Sequence, residues 1–169
     1  VPAVSAENLT DTAADTPVFA VQDAAVDSVQ DAQSVTTEEA LRTAVAKEGS
    51  TVTLGGDITL TSTLTIANNV TIDGGNHTIS IADSVSTWPT DNSGKYMLVA
   101  GGDNVLIENV TIDAEQKASG CLQFYKATGG KIHNVTLNNA KQLGLNVNAS
   151  AVTVTGSLGY TGNGWGNGI

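Results

Sequence analysis

Residues 104–114 read NVLIENVTIDA, and residues 130–140 read GKIHNVTLNNA. In both stretches apolar residues alternate with polar ones, which is typical of a β-strand with one buried face. Ile107 of the first stretch and Ile132 of the second are 25 residues apart. A pattern that returns at such an interval predicts a repeat architecture, in which each repeat stacks on the next because it cannot bury its apolar face alone.

Each repeat also places glycine or asparagine at the same point. Aligned segments of the form V-x-I-x-G or V-x-I-x-N end at Gly74 and Asn109, and related segments end at Asn134 and Gly156. Glycine and asparagine are the residues that most readily adopt a left-handed backbone. The pattern therefore predicts a bend with positive φ at all four positions. Asn109 and Asn134 are expected to stack as a pair of amides.

A second strand follows the bend, and a third strand completes each coil. The third strands contain the leucines and isoleucine at positions 98, 122, 145 and 169, which are separated by 24, 23 and 24 residues. Three short strands per coil predict an all-β parallel solenoid, with like side chains stacked about 4.8 Å apart along its axis. One inward column is expected to contain Ile72, Ile107, Ile132 and Val154.

Residues 34–49 predict the one clear helix of the sequence. Thr36 and Glu39 are spaced as a capping box, in which each side chain satisfies a backbone N–H group at the start of the helix. Leu41, Ala44 and Val45 form an apolar stripe. An amphipathic helix that is followed only by strands is expected to cover the exposed edge of the first coil.

The regions on either side of this helix complete the domain organisation. Residues 1–33 carry acidic but no basic side chains, and we expect a mobile leader or linker. The alternative is that residues 17–21 add an edge strand. Residues 50–169 are expected to form the coils. Because Ile169 falls where a third strand begins, we expect these coils to be truncated, which leaves an open C-terminal edge for self-association.

Composition and charge exclude several classes of function. The formal net charge is −10 with only seven Lys plus Arg, so no basic face is available to bind nucleic acid. No run of apolar residues in the sequence is long enough for a membrane-spanning helix. Cys121 is the only cysteine, which excludes a disulfide within the chain and favours a small buried residue over a nucleophile.

The order of these features resembles the right-handed parallel β-helix of the pectate-lyase-like superfamily. The resemblance covers residues 36–169 and rests on the Gly and Asn bends, on TTEEALRTAVAKEG as the capping helix, and on STVTLGGDITL and LTIANNVTIDGGNHTI as strands. The superfamily includes pectin-degrading enzymes and many bacterial surface proteins, which implies a secreted or cell-surface bacterial protein. Its members share architecture far more than chemistry, so the resemblance leaves the activity open.

An enzyme of this superfamily needs a specific set of side chains. The resemblance implies that a pectate lyase would use carboxylates to hold Ca²⁺ against an acidic sugar, and an Arg as the base. The only Arg is Arg42, in the capping helix, which argues against a lyase in this segment. A glycoside hydrolase needs two carboxylates about 5–9 Å apart. Asp113 and Glu115 are the best local pair, although both can equally be solvated side chains at a turn.

A cation site is a further hypothesis. Asp73, Glu108 and His133 precede equivalent bends and are expected to stack on one outer face. Two carboxylates and an imidazole in a column could bind a metal ion such as Ca²⁺. The alternative is a direct hydrogen bond between Glu108 and His133 without a metal.

Aromatic residues among small polar ones indicate carbohydrate binding. Trp88 and Tyr96 lie in or beside an insert at residues 83–95, which lengthens one coil and is expected to project as a loop. Tyr160 and Trp165 are separated by Gly and Asn residues, so their rings could stand clear for a sugar face to stack on. The alternative for Trp165 is packing against a further coil.

These observations favour a non-catalytic exported scaffold that recognises glycans or a host surface, as an adhesin does. One alternative is the N-terminal part of a polysaccharide lyase or glycoside hydrolase whose catalytic coils lie beyond Ile169. A purely structural spacer is the other.

Overall fold

The structure, a computed structural model, describes residues 32–164. Two groups of predictions therefore lie outside the described residues. These are the acidic leader up to residue 31, with its edge strand at residues 17–21, and the placement of Trp165 and Ile169.

Twelve strands and one helix form the described part of the chain. In chain order they are β1 (Gln33–Val35), α1 (Glu38–Val45), β2 (Thr51–Leu54), β3 (Ile58–Leu60), β4 (Leu64–Ile66), β5 (Thr71–Asp73), β6 (Thr78–Ile81), β7 (Tyr96–Ala100), β8 (Leu106–Asp113), β9 (Gly120–Tyr125), β10 (Gly130–Asn138), β11 (Leu143–Asn148) and β12 (Val152–Thr161). Helix α1 has eight residues, and residues 32–164 contain no helix of the length and apolarity that crossing a membrane requires.

The strands pair in parallel and form two sheets, which wind into a right-handed β-helix of about six turns. The larger sheet has the order β1-β2-β5-β8-β10-β12, with β3 and β6 attached beside β8, and the smaller sheet has the order β4-β7-β9-β11. The predicted fold, an all-β right-handed parallel β-helix with a helical cap, is confirmed. In the later coils the two strands around the predicted bend merge into one, because pairing resumes immediately after it.

The core consists of columns of apolar side chains, one from each coil. The predicted column is confirmed, and its members in register are Val52, Ile72, Ile107, Ile132 and Val154. The first four side chains are 0% exposed. Burial of one aliphatic side chain contributes about 1.5–3 kcal/mol, so these columns hold the coils together.

Two further columns end, like the first, in an exposed residue. One contains Ile58, Ile79, Ile112, Leu137 and Tyr160. The other contains Ile66, Ala100, Phe124 and Val147. The last members of the three columns, Val154, Tyr160 and Val147, are 44%, 45% and 40% exposed. We call this end of the β-helix, formed by β11 and β12, the open end.

Helix α1 covers the opposite end, as predicted. Leu41, Ala44 and Val45 are buried, and the helix contacts β1, β2, β3 and β4. Arg42 donates from Nη1 to the carbonyl oxygen of Thr63 at 2.8 Å and from Nη2 to Glu38 Oε1 at 2.7 Å. The bond to Thr63 attaches the helix to the first coil, and the pair with Glu38 holds the guanidinium group in place.

The start of the helix differs from its prediction in two ways. The N-cap is Thr37, whose extended backbone lets its Oγ1 accept a hydrogen bond from the Ala40 N–H group at 3.2 Å. The predicted capping box of Thr36 and Glu39 is therefore wrong, because the N-cap lies one residue further along the chain. In addition, β1 precedes the helix and pairs with β2. Only Val35 of β1 is buried, so the alternation was too short to predict this strand.

The predicted bends are confirmed in the later coils. Asn109, Asn134 and Gly156 have φ values of 51°, 51° and 63°. Asn134 Nδ2 donates to Asn109 Oδ1 at 3.4 Å, and Asn134 Oδ1 accepts from the Ser157 N–H group at 3.1 Å. The stacked amides thus extend to the backbone of the last described coil.

The prediction of positive φ at Gly74 is wrong. The turn in that coil uses the next two residues instead, because Gly75 and Asn76 have φ values of 56° and 65°. Gly74 is needed for space, since an added Cβ would lie 2.4 Å from Val110 Cβ. The glycine therefore allows a close approach between coils.

Candidate functional site

The insert between β6 and β7 folds back onto the coils instead of projecting freely as predicted. Trp88 is 3% exposed and belongs to the core, and its Nε1 donates to the Gly94 carbonyl oxygen at 2.8 Å. Thr63 Oγ1 donates to the same oxygen at 2.9 Å. Asp91 Oδ1 accepts a hydrogen bond from the Gly94 N–H group at 2.8 Å. These contacts fix the end of the insert against the first coil.

The end of the insert forms one wall of a groove on the outer face of the smaller sheet. The groove has a volume of about 630 Å³. From the insert it is lined by Asn92, Ser93 and Lys95. From β7, β9 and β11 it is lined by Val99, Gln123, Tyr125, Asn146 and Asn148. We call this site the outer groove.

Strand alternation explains why the sheet residues of the outer groove face outwards. In β9, Leu122 and Phe124 are buried in the core, so Gln123 and Tyr125 point to the opposite face. The register places Gln123 beside Asn146 on β11. Successive coils therefore supply rows of side chains about 4.8 Å apart, on a sheet whose other face is packed into the core.

The charged side chains at the outer groove are positive. Lys95 Nζ donates to Asn92 Oδ1 at 3.1 Å and lies 5.6 Å from the ring centroid of Tyr96. Lys126 Nζ lies beside the groove, 5.2 Å from the ring centroid of Tyr125. Within the described part of the chain no Asp or Glu lines the groove. Lys95 is thus the one charged residue among those that line the groove, and the carboxylate of Asp91, which accepts a hydrogen bond from Ser93 Oγ at 3.0 Å, lies beside it.

Lys126 has a strained backbone at the edge of the groove. Its φ is 52°, a left-handed conformation that costs a residue with a Cβ about 1–2 kcal/mol. Glycine or asparagine relieves this cost at most other bends of the described chain, whereas Lys126, like Glu115, Gln116 and Ala149, adopts the conformation without that relief. The conformation alone therefore does not mark a functional site, and Lys126 belongs to the candidate site because its ammonium group lies beside the Tyr125 ring.

The outer groove has the chemistry to bind a hydroxylated ligand. The side-chain amides of Asn92, Gln123 and Asn146 can each donate and accept hydrogen bonds. Tyr125 is 42% exposed and offers one flat apolar surface. Without a carboxylate in its lining, the groove lacks the acid–base pair of a hydrolase.

The aromatic residues predicted to bind a ligand lie elsewhere. Trp88 and Tyr96 are buried, so their rings cannot stack on a sugar in this structure. Tyr160 is in register with Leu137 and continues a core column at the open end. Trp165 lies outside the described residues.

Tyr96 contributes to the groove indirectly. Burial raises the pKa of Tyr96, and a side-chain hydrogen bond with Asn146 partly offsets this effect. The ring also occupies the space above Gly120, where an added Cβ would lie 2.2 Å from it. The buried Tyr96 ring therefore fills the space over Gly120, next to the strands that form the groove.

Sequence reasoning missed Tyr125, although the signal was present. In the segment CLQFY, inward positions for Leu122 and Phe124 require outward positions for Gln123 and Tyr125. The prediction instead selected the aromatic residues of the insert and of the glycine-rich segment that contains Tyr160 and Trp165. The coil repeat gives no indication of which residues of the insert line the groove.

Asp113 and Glu115, the candidate catalytic pair, stabilise a bend. Asp113 Oδ1 accepts hydrogen bonds from the Glu115 N–H group at 2.8 Å and from Asn139 Nδ2 at 2.9 Å. Glu115 Oε2 forms an ion pair with Lys117 Nζ at 3.0 Å. Neither carboxylate lines the outer groove. These contacts favour the structural interpretation of the pair over catalysis.

The candidate metal ligands stack as expected without converging. Asp73, Glu108 and His133 are consecutive in register. Asp73 Oδ1 turns to the bend, where it accepts from the Gly75 N–H group at 3.0 Å and from Asn109 Nδ2 at 3.1 Å. No three His, Cys, Asp or Glu side chains in residues 32–164 are placed to hold a metal ion. The described residues therefore provide no support for a Ca²⁺ site.

His133 bonds with partners other than the predicted Glu108. Its Nδ1 is 2.9 Å from Thr155 Oγ1, and its Nε2 is 2.9 Å from Asn134 Nδ2. The amide can only donate from Nδ2, so Nε2 is the acceptor and Nδ1 carries the proton. His133 thus links a bend to the last coil, next to a shallow depression that Glu108 and Lys131 also line.

Cys121 is buried, as predicted. Its Sγ donates to the Asn138 carbonyl oxygen at 3.3 Å. Burial, together with the nearby charge of Asp113, raises the pKa of the thiol to about 12. The group is therefore a neutral thiol at physiological pH and not a nucleophile.

Comparisons with protein-family models, with curated proteins and with solved structures found no match for this chain. The outer groove is consequently interpreted from its own geometry and chemistry.

Proposed function

We propose that this β-helix is a non-catalytic carbohydrate-recognition scaffold and that the outer groove is its glycan-binding site. The observation that carries the proposal is the combination of one exposed tyrosine ring, several side-chain amides and a lysine around a single groove. Protein sites for polar ligands place a few hydrogen-bonding groups around a contact surface that is already formed. The packed core behind the sheet meets that requirement.

We also propose that the protein is secreted or displayed on a bacterial cell surface and acts there as an adhesin. A capped parallel β-helix with Asn and Gly bends supports a relationship to the pectate-lyase-like superfamily. Surface display fits a rigid scaffold with a net charge of −10, because such a charge opposes nonspecific association between copies.

The positive charge of Lys95 and Lys126 favours glycans that carry an anionic group. In the outer groove Lys95 is held by Asn92, so its ammonium group is directed before the ligand arrives. A positioned charge costs less ordering entropy on binding than a free one. Added salt is therefore expected to weaken binding.

A glycan array followed by calorimetry with a soluble oligosaccharide tests the proposal. Tyr125→Ala should weaken binding at least about tenfold, which corresponds to about 1.4 kcal/mol. The matched control is Tyr160→Ala, since the two tyrosines are similarly exposed. An equal loss of glycan affinity in both variants, or binding that depends on Trp165 alone, would contradict the assignment to the outer groove. Either result would favour a binding site in the glycine-rich segment that contains Tyr160 and Trp165.

Substitutions at Lys126 are expected to change glycan binding and stability in different directions. Lys126→Gly removes the charge and relieves the left-handed strain, so we expect weaker glycan binding together with a free energy of unfolding that is unchanged or higher by up to about 1 kcal/mol. Lys126→Asn is the control that also tolerates the conformation. A variant that binds normally would remove Lys126 from the site.

The enzymatic alternative has a direct assay. Polygalacturonate with Ca²⁺ is incubated with the protein, and unsaturated products are followed by absorbance. Product formation that requires the protein would overturn the non-catalytic assignment. Product formation that is insensitive to Tyr125→Ala would also place the reaction outside the outer groove.

A further inference from the structure

The main chain around Lys95 is held from the coils on both sides of it. The Gly94 carbonyl oxygen accepts a hydrogen bond from Thr63 Oγ1 at 2.9 Å, and the Tyr96 carbonyl oxygen lies 2.8 Å from the same hydroxyl. The Lys95 carbonyl oxygen accepts from the Gly120 N–H group at 3.2 Å. All three carbonyl groups at the point where the insert joins β7 therefore have partners in neighbouring coils.

Thr63 makes its two contacts with a single proton. A threonine hydroxyl carries one donor, so the proton is shared between the carbonyl oxygens of residues 94 and 96. Within residues 32–164, Thr63 supplies the only side-chain hydrogen bond from a coil to the insert. A carbonyl group that loses its partner away from water costs free energy, and the half-buried hydroxyl therefore favours one path of this main chain over others.

The cap in turn holds Thr63. Its carbonyl oxygen accepts a hydrogen bond from Arg42 Nη1 at 2.8 Å, and Arg42 Nη2 donates to Ser62 Oγ at 2.8 Å. Thr63 also directly precedes β4, which pairs in register with β7. The hydroxyl is thus presented from a fixed place in the first coil to the segment that carries Lys95.

The position of Lys95 matters for the charge of a ligand. Lys95 is the one charged residue among those that line the outer groove, and its ammonium group donates to Asn92 Oδ1 at 3.1 Å. The attraction between a charge and an anionic group depends on their separation, and a charge that is already positioned loses less entropy on binding. A shift of the main chain at residues 94–96 would displace this charge and leave the side chains of the sheet in place.

We propose that Thr63 is a positioning residue of the outer groove, which directs Lys95 and thereby determines the preference for anionic over neutral glycans. The inference rests on the proposed glycan-binding function of the groove. Thr63 is not among the residues that line the groove, so it acts through the main chain on either side of Lys95. Binding of neutral glycans, which depends on Tyr125 and the side-chain amides, does not need the hydroxyl.

The experiment compares an oligogalacturonate with its neutral methyl ester by calorimetry, using the full chain. Thr63→Val removes the hydroxyl and keeps the shape, so we expect the affinity for the oligogalacturonate to fall about three- to tenfold and the affinity for the methyl ester to stay within about twofold. Thr63→Ser retains the donor and should restore the preference. Thr71→Val, at a half-buried position of β5 in the larger sheet, is the matched control and should change neither affinity.

A double variant tests whether Thr63 acts through Lys95. Lys95→Met removes the ammonium group and should by itself abolish the preference for the anionic probe. Adding Thr63→Val should then have no further effect, because the two substitutions interrupt the same interaction. Losses that add in the double variant, or an equal loss for the methyl ester, would show that Thr63 supports the groove as a whole and would overturn the proposal.

Hydrogen exchange separates this inference from the proposed function, because it needs no ligand. Thr63→Val should speed the exchange of the Lys95 and Gly120 amides and leave the amides that pair β4 with β7 unchanged. Unchanged exchange at Lys95 and Gly120 would overturn the positioning role even in a protein that binds glycans. Faster exchange in a protein whose wild type binds neither probe nor any glycan of an array would overturn the proposed function and support the placement of Lys95 by Thr63.

Discussion

The two ends of the β-helix contain the same kinds of residues and differ in what lies over them. At the covered end, Val52 and Ile58 are buried beneath α1, whereas Val154 and Tyr160 in the same columns are nearly half exposed at the open end. Alternation along the strand determines which way a side chain faces. Burial requires a further layer, and within residues 32–164 the eight-residue helix α1 supplies it over the first coil.

The largest expected effect tests the contrast between the middle and the open end of one column. Ile107→Ala leaves a cavity between two coils, and we expect it to lower the free energy of unfolding by about 4 kcal/mol. Val154→Ala removes two methyl groups that are already partly hydrated, and the expected cost is below about 1 kcal/mol. Urea unfolding measures both. Equal costs would mean that the last coil is as well covered as the centre.

Weakening the cover is expected to have the next largest effect. Leu41→Ala removes the fully buried side chain that α1 places on the first coil, at a cost of about 2–3 kcal/mol. Thr43→Ala on the exposed side of the same helix is the control. Hydrogen exchange should show faster opening of β2 and β4 in the first variant. Unchanged exchange there would contradict the role of α1 as a cover.

A third prediction concerns a bend at the open end. Gly156→Ala forces a residue with a Cβ into the left-handed conformation, which costs about 1–2 kcal/mol, and its Cβ also meets the Asn134 amide. This cost is local and does not depend on cover. Urea unfolding of the variant should therefore show a loss, even though Val154→Ala shows little. No loss would indicate that the last bend is not part of the cooperative unit.

The smallest effect comes from pH at the covered end. Burial raises the pKa of Glu38. The hydrogen bond from the Thr61 N–H group and the hydrogen bond and charge of Arg42 lower it by more, so the pKa lies below its usual value of 4.5. A carboxyl whose pKa is lowered by folding contributes stability above its unfolded pKa and loses it as pH falls through the folded value.

The contribution of the Glu38–Arg42 ion pair to stability is limited because both side chains are partly exposed. We expect about 0.5 kcal/mol or less, measured as the difference in urea stability between wild type and Glu38→Gln at pH 7, and no difference at pH 2. At the open end, the described residues 142–164 contain no Asp or Glu. A difference that grows as the solution is acidified would contradict the sign of the Glu38 shift.

The parts of the fold that repeat could be predicted from the sequence. Ile72, Ile107 and Ile132 recur with the same neighbours, and stacking requires equal residues in equal places. Asn109 and Asn134 were predictable for a local reason, because few residues accept their backbone conformation. The second coil departs from the repeat, and there the prediction failed at Gly74, where the turn moves on by one residue.

The candidate site was harder to predict because three of its eight lining residues come from the insert and not from the repeat. Tyr125 and Gln123 follow from alternation, but Asn92 and Lys95 reach the groove only through the fold of the insert. That fold depends on two hydrogen bonds to the Gly94 carbonyl oxygen, a local one from Trp88 Nε1 and one from Thr63 Oγ1 in the preceding coil. A tryptophan in a polar loop was interpreted as an exposed contact, whereas its indole packs into the core.

The insert enters and leaves at a corner, between β6 and β7, and the strands on either side keep their register with neighbouring coils. Apart from Trp88, whose indole packs into the core, and Gly94, which Thr63 binds, the segment can therefore diverge in length and composition without disturbing the stack beneath it. Selection for a new target would act on this appendage and on outward-facing rows, while selection for folding acts on inward columns. The architecture lets the two evolve on separate residues.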